Sequence, residues 1–181
     1  MPSSPVLDLV LSEADLPWVE LQAARLDGEL YDLGDAFCPI DELEAPRHRA
    51  RAALGRRSRR LIAELGTAAW VWGAAPQPAR LQFAVAPDAR ARLSPDQHVT
   101  VREIVFAPED LRELDGVKVT TPIRTAVDLA RFEEPFSPEI VARLAAIVEF
   151  SLADCLATLE SRAGIPLKNR AKQNLTAALG R

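Results

Sequence analysis

One stretch limits the possible fold more than any other, the run GVKVTTPIRTAVDLAR from Gly116 to Arg131. Its valines alternate with Lys118, as in a strand that buries one face. Thr121 stands where a helix N-cap is expected, and Pro122 follows at the first helical position, where a missing N–H has no cost. The stretch therefore predicts a strand, a tight turn and a helix in direct succession.

The predicted helix has one apolar face and one charged pair. Spacings of three and four residues place four apolar side chains on one side: Ile123, Ala126, Val127 and Ala130. Arg124 and Asp128 are four residues apart, so their side chains can meet. We predict that both are buried, in contact with each other or with shared backbone. We read this group as a structural motif rather than a catalytic pair: Thr121, Pro122, Arg124, Thr125 and Asp128.

Positive charge is concentrated in a second stretch. Between positions 47 and 60 the chain carries seven arginines and no acidic residue: Arg47, Arg49, Arg51, Arg56, Arg57, Arg59 and Arg60. The net charge of −4 means that the remainder is strongly acidic. An arginine patch on an acidic body allows a directed contact with nucleic acid or with an acidic partner. The alternative is neutralisation within the chain, by Asp41, Glu42, Glu44 and Glu64.

The N-terminal part predicts a helix followed by a hairpin. Trp18, Leu21 and Leu26 follow helical spacing, and Gly28 suits the position after a helix. Two short strands, 29–33 and 36–40, flank Gly34-Asp35. A helix before a hairpin is the second half of a winged helix, but only residues 6–11 remain for the first half. We therefore predict a truncated winged-helix-like segment.

The helix of this segment has an unfavourable composition for reading DNA. Gln22 and Arg25 could reach a base edge or a phosphate, but Glu20 and Asp27 oppose them. A helix that docks for structural reasons is favoured over a major-groove reader.

The rest of the chain predicts an α+β fold. Strands near residues 81, 99 and 117 alternate with short helices and indicate a small mixed sheet packed against helices. Residues 61–63 fit a strand or a helix, and 108–114 predict a short helix with acids near its N-terminus. Three helices are expected after residue 137, the second closed by Gly164. The predicted division is a segment over 1–45 and a core over 46–181.

Three stretches resemble one protein family. The pattern V-T-T-P-x-R-T-A-x-D-L-A over 119–130 resembles the core of the AbiEi family of bacterial type IV antitoxins. Leu65–Gly73 is similar to the helix before the sheet in that family, and Leu26–Pro39 is similar to its winged-helix hairpin. The resemblance implies a regulator that binds its operator DNA and opposes a nucleotidyltransferase toxin.

The sequence offers no recognisable catalytic or metal centre. His48 and His98 stand in unrelated contexts, and Cys38 and Cys155 lack metal spacing, so two buried reduced thiols are expected. Neither a phosphate-binding loop nor a nuclease E-x-K motif occurs. We therefore predict no cofactor and no enzymatic activity. Since no apolar run reaches eighteen residues and no signal peptide is recognisable, the expected location is the cytoplasm.

Two hypotheses of different classes remain. The first is a DNA-binding regulator or antitoxin that uses the arginines of 47–60, with or without the basic C-terminal tail of Lys168, Arg170, Lys172 and Arg181. The second is a protein-interaction module that has lost DNA binding. A shared basic face favours the first, and arginines paired with the surplus acids favour the second.

Overall fold

The structure is a computed structural model that describes residues 10–87, 89, 98–162 and 166–180. The helices are α1 (Trp18–Leu26), α2 (Pro46–Leu54), α3 (Leu65–Val71), α4 (Pro122–Phe132), α5 (Pro138–Val148), α6 (Leu152–Glu160) and α7 (Lys168–Leu179). The strands are β1 (Leu30–Leu33), β2 (Ala36–Pro39), β3 (Ile62–Ala63), β4 (Leu81–Val85), β5 (Val99–Glu103), β6 (Leu111–Leu114) and β7 (Val117–Thr120). The predicted α+β class is confirmed.

The main sheet has five strands in the order β5-β4-β3-β7-β6. Its centre is the two-residue strand β3, which pairs parallel with β7 and antiparallel with β4. β5 joins β4 in parallel, and β6 joins β7 antiparallel. The sheet is therefore mixed, and its middle depends on pairing between residues more than fifty positions apart.

Two large apolar clusters fill most of the interior. The first joins the N-terminal hairpin and α2 to one face of the sheet, with Phe83, Val117 and Val119 buried at its centre. The second joins α3 to the four C-terminal helices, of which α5, α6 and α7 pack around α4. Leu144 of α5 and Leu175 of α7 are fully buried there. Helix α4 thus lies at the centre of the helical layer, in contact with α3, α5, α6 and α7.

The predicted strand, turn and helix of 116–131 occur as β7 and α4. The Thr121 hydroxyl accepts a hydrogen bond from the Arg124 N–H at 3.4 Å, and Pro122 opens the helix. Inside this turn the Thr120 and Thr125 hydroxyl oxygens lie 2.7 Å apart. The polar groups between strand and helix are therefore satisfied locally.

The short helix predicted over 108–114 is wrong. Only a 3₁₀ turn, Pro108–Asp110, forms there, and residues 111–114 are strand β6. Asp115 and Gly116 both have positive φ, 50° and 74°, as a two-residue hairpin turn of the primed type requires. The Asp-Gly turn therefore pairs 111–114 with β7 in preference to a helix.

The N-terminal segment contains the expected helix and hairpin. Leu11 bridges Phe37 of β2 in antiparallel fashion, and α1 contributes Leu21 to the small apolar cluster beneath. Residues 6–9, expected to help complete a winged helix, lie outside the described residues. The inner face of the hairpin, including Cys38, joins the core around α2.

The C-terminal part forms the three expected helices. Ser151 caps α6 through a reciprocal capping box with Asp154. Gly164, expected to close this helix, lies outside the described residues. In the part of the chain that is described, every helix is too short or too polar to cross a bilayer.

Candidate functional site

The polar centre of the fold is an ion cluster around α4. The Arg124 guanidinium donates from Nε to Asp128 Oδ2 at 2.6 Å and from Nη1 to Asp110 Oδ2 at 2.9 Å. All three side chains are buried. The expected contact between Arg124 and Asp128 is thus present, and it has a third member from the loop before β6.

Further arginines surround the same carboxylates. Arg131 Nη1 donates to the second oxygen of Asp128 at 2.9 Å, and Arg162 pairs with the second oxygen of Asp110. The Arg131 Nε donates to the Pro166 carbonyl. Each carboxylate therefore binds two guanidinium groups, one through each oxygen.

A bidentate pair lies next to this network. Arg102 of β5 donates to both oxygens of the buried Glu64, at 2.8 and 2.7 Å. Burial raises the pKa of the Glu64 carboxyl, and the bond to Arg102 lowers it again in part. The guanidinium groups of Arg102 and Arg131 lie 4.5 and 4.3 Å from the Phe132 ring centroid. We call these seven charged residues the ion cluster: Glu64, Arg102, Asp110, Arg124, Asp128, Arg131 and Arg162.

The arrangement of the ion cluster suits a structural role. Its three carboxylates are all engaged by arginine, which leaves none placed to act as a general base. Among the described residues, no group of histidine, cysteine, aspartate and glutamate side chains could hold a metal ion. Cation–carboxylate bonds here join the N-cap of α3, β5, the turn before β6, α4 and the segment that follows α6.

The arginines of 47–60, which we call the arginine segment, differ from one another in their surroundings. Arg47, Arg56, Arg59 and Arg60 are exposed, whereas Arg49, Arg51 and Arg57 are half-buried. Arg49 donates to the Val71 carbonyl at 2.9 Å and pairs with Glu44 at 2.6 Å. It therefore ties α2 to α3 and to the loop before α2.

Two further arginines of the segment have contacts within the fold. Arg51 lies 3.5 Å from Asp115 in the β6–β7 turn, and Arg57 donates to the Ala53 carbonyl at 3.3 Å. By contrast, Arg47, Arg56 and Arg59 form no ion pair with any of the residues that the structure describes. Glu64, expected to neutralise the segment, binds Arg102 instead.

A groove of about 1190 Å³ runs beside the arginine segment. Four of the seven arginines line it: Arg51, Arg56, Arg57 and Arg59. The opposite wall belongs to the N-terminal segment and includes Trp18 and Phe37, whose rings lie 5.7 Å apart. Glu13, Asp15 and Asp35 also line it, so its walls carry both signs of charge.

The basic C-terminal tail does not offer a comparable row of unpaired charges. Arg170 bonds the Glu133 carbonyl at 2.7 Å and lies 3.2 Å from Glu134. Lys172 pairs with Glu160 at 2.6 Å. Arg181 lies outside the described residues. The tail joins α7 to α4 and α6.

The remaining titratable groups of interest are buried and neutral. Both cysteines are buried, reduced thiols, as expected, and burial raises the pKa of Cys155 to about 12. His48 lies on the inner side of α2, where burial and the nearby Arg47 lower its pKa. Neither ring nitrogen of His48 has a hydrogen-bond partner within the described ranges. His48 is therefore a neutral core residue.

The sequence alone missed most of the ion cluster. Arg131 could have been found, since it follows Asp128 by three residues on the same helix. Glu64, Arg102, Asp110 and Arg162 carry no local signal because their partners are 14 to 52 positions away. The acids of the groove were missed for the same reason.

Comparison with known proteins gives one family match. Residues 61–177 match the family model for the AbiEi antitoxin C-terminal domain. The matched residues make up more than half of the chain. No curated protein matches the sequence. Among solved structures, the RV2827C protein from Mycobacterium tuberculosis is similar with a TM-score of 0.48 and 19% identity, over 96% of this chain and 72% of that one.

Proposed function

The chain belongs to the AbiEi antitoxin family, and on that premise we propose that it is an antitoxin that binds DNA through its arginine segment. Family membership carries the antitoxin-like role in a toxin–antitoxin system. The finer parts of the proposal are operator DNA as a ligand, a nucleotidyltransferase toxin as the opposed partner, and the cytoplasm as the place of action. The truncated winged-helix-like segment of residues 1–45 remains part of this proposal.

One observation carries the DNA contact. Arg47, Arg56 and Arg59 are exposed and have no ionic partner among the described residues, although the chain has an excess of acids. Like charges within one short segment repel one another, so a phosphate backbone that neutralises them gains affinity. Arg51 and Arg57 line the same groove as Arg56 and Arg59 and could add contacts after small side-chain movements.

The expected binding is weak and depends strongly on salt. Each neutralised phosphate changes the slope of log K against log salt by about −0.9 on duplex DNA. Three exposed arginines predict a slope contribution of about −3. The acids on the groove walls work against tighter binding because they repel phosphates.

The test is a titration of labelled duplex, containing the DNA upstream of the gene, at several salt concentrations. Replacing Arg47, Arg56 and Arg59 together with alanine should flatten the slope by about three units. The matched control replaces Arg80, Arg112 and Arg143, which are exposed, lie outside the arginine segment and remove the same charge. The control should keep most of the slope.

Two results contradict the DNA proposal. One is no binding of the wild-type protein at low salt. The other is equal loss in both triple variants, which reflects net charge rather than a site. Either result leaves the protein-interaction module, which the acids of the groove and the pairing of Arg49 with Glu44 favour.

Catalysis is absent from the proposed function. The carboxylates of the ion cluster are all bound by arginine, so they do not form an acid–base pair. We expect no cleavage of DNA or RNA with Mg²⁺, Mn²⁺ or Zn²⁺. Metal-dependent cleavage that is lost on replacing a single carboxylate contradicts this part.

A further inference from the structure

Helix α1 carries an apolar face on its outer side as well as on its inner side. Leu21 is fully buried against the hairpin. Val19, Ala23 and Leu26 follow at spacings of four and three residues, so they share another face. Val19 is 76% exposed and Leu26 79% exposed. We call these three residues the α1 stripe. Trp18, 52% exposed, flanks it.

Acidic side chains border the α1 stripe. Glu20 lies on the same helix, and Asp27 and Glu29 follow its C-terminal end. Their carboxylates form no ion pair with any residue inside the described ranges. Arg25 is held by Asp32 at 2.7 Å. Over residues 10–45 the chain has ten acidic residues and Arg25 as its single basic residue.

From this arrangement we propose that the α1 stripe is a docking surface for a protein partner that presents an apolar helix face flanked by lysine or arginine. Exposed apolar patches rimmed by polar residues are typical of protein interaction sites. The acidic rim selects a basic partner, since complementary charge raises the association rate and excludes acidic competitors. This inference goes beyond the proposed function, because it uses a surface other than the arginine segment.

The charges disfavour other occupants. Duplex DNA would bring phosphates against Glu20, Asp27 and Glu29, which repels. A second copy related by two-fold symmetry would place the same acids against one another. Residues 1–9 contain no lysine or arginine, so they do not supply the complementary charge.

Trp18 provides a reporter for the test, since Trp70 is buried and Trp72 is half-buried. The probe is a tryptophan-free amphipathic helical peptide of roughly eighteen residues, long enough to fold when bound, with leucines on one face and lysines on both sides. The matched probe has glutamate at every lysine position. The lysine peptide should give a saturable blue shift of the Trp18 emission that weakens with salt, and the glutamate peptide should give none.

Variants then locate the contact. Val19→Ser with Leu26→Ser should weaken binding of the lysine peptide roughly tenfold or more, because both side chains are central anchors. Glu20→Gln with Asp27→Asn and Glu29→Gln should weaken it and remove most of the salt dependence. Val105→Ser with Ile147→Ser is the matched control, since both are exposed apolar residues away from α1. The control should bind as the wild type does.

Four results overturn the proposal. The first is equal binding of the lysine and glutamate peptides, and the second is unchanged binding after the Val19 and Leu26 substitutions. The third is a wild-type dimer in light scattering that these substitutions make monomeric. The fourth is loss of duplex binding in the same variant. The last two identify the occupant as a second copy or as DNA. Because the duplex titration of the arginine segment is separate, either proposal can fail while the other holds.

Discussion

Arginines have opposite roles in two regions of this molecule. In the ion cluster, Arg124 and Arg131 are buried and each bonds a carboxylate that is itself fully enclosed. In the arginine segment, Arg56 and Arg59 stand in solvent without an ionic partner among the described residues. A high density of arginines in a sequence therefore does not locate a binding surface. A guanidinium bonded to a buried carboxylate stabilises the fold, whereas an exposed one without such a bond can bind a ligand.

The difference follows from the cost of moving charge out of water. A buried ion loses several kcal/mol of hydration, so it is retained only with well-placed opposite charges. An exposed ion keeps its hydration and needs no partner. The ion cluster meets the first condition because each aspartate receives an arginine at both oxygens.

The largest expected effect comes from comparing two ion pairs of equal length, one buried and one exposed to solvent. Asp128→Asn removes a charge 2.6 Å from Arg124 and should lower the free energy of unfolding by about 3–5 kcal/mol, because it leaves buried guanidinium groups uncompensated. Glu160→Gln removes a charge 2.6 Å from Lys172, but in solvent, and should cause no resolvable change. Urea denaturation of both variants checks this. Equal effects would show that burial does not decide the outcome.

A smaller effect should appear in the pH dependence of stability. Burial raises the pKa of Glu64 in the folded state, so the folded protein holds this proton more tightly than the unfolded chain does. Glu64 should therefore lower stability as the pH rises from about 4.3, its unfolded value, through the higher folded pKa. Glu64→Gln has no such step. The stability of the wild type relative to the variant should fall as the pH rises above about 4.3, and parallel curves would contradict the prediction.

The smallest expected effect on stability comes from the arginine segment. Replacing Arg47, Arg56 or Arg59 singly with alanine should change the free energy of unfolding by less than about 0.5 kcal/mol, the usual range for surface substitutions. Arg49→Ala should cost more, because its bonds to the Val71 carbonyl and to Glu44 tie α2 in place. Thermal unfolding of the four variants ranks them. A loss at Arg56 as large as that at Arg49 would show that the segment is structural throughout.

Thiol reactivity gives a check on the core that is independent of charge. Cys38 and Cys155 are buried, and burial raises the pKa of each thiol, that of Cys155 to about 12. Because the thiolate is the reactive form, neither should react with a disulfide reagent at pH 8 in the folded protein. Both should react in urea. Rapid labelling of the native protein would contradict the packing described here.

The sequence predicted what depends on neighbouring residues. Helix α4, its Thr121 cap and the contact of Arg124 with Asp128 all follow from spacings of one to four residues. Strand β6 was not predicted, because the acids after Pro108 favour a helix start, although the Asp115–Gly116 turn is the stronger local signal. The partners of Asp110 were not predictable, since Arg124 and Arg162 are brought to it only by the sheet and by α6.

The candidate site was predicted in part for the same reason. Spacing identified the arginines of 47–60 as a group, but not which of them face solvent. That distinction depends on Val71, Ala53 and Asp115, whose oxygen atoms reach Arg49, Arg57 and Arg51 only in the folded chain.

The two-residue strand β3 has a consequence for synthesis on the ribosome. Ile62 and Ala63 pair with Lys118 and Val119, so the middle of the sheet cannot close until those residues have left the exit tunnel. Asp110 receives its second arginine only when Arg162 follows. At about 5–20 residues per second, the nascent chain spends several seconds with an open sheet and an unmatched carboxylate. We therefore expect truncated chains that end before these residues to be degraded by proteases. Full-length chains should then make up most of the protein that accumulates.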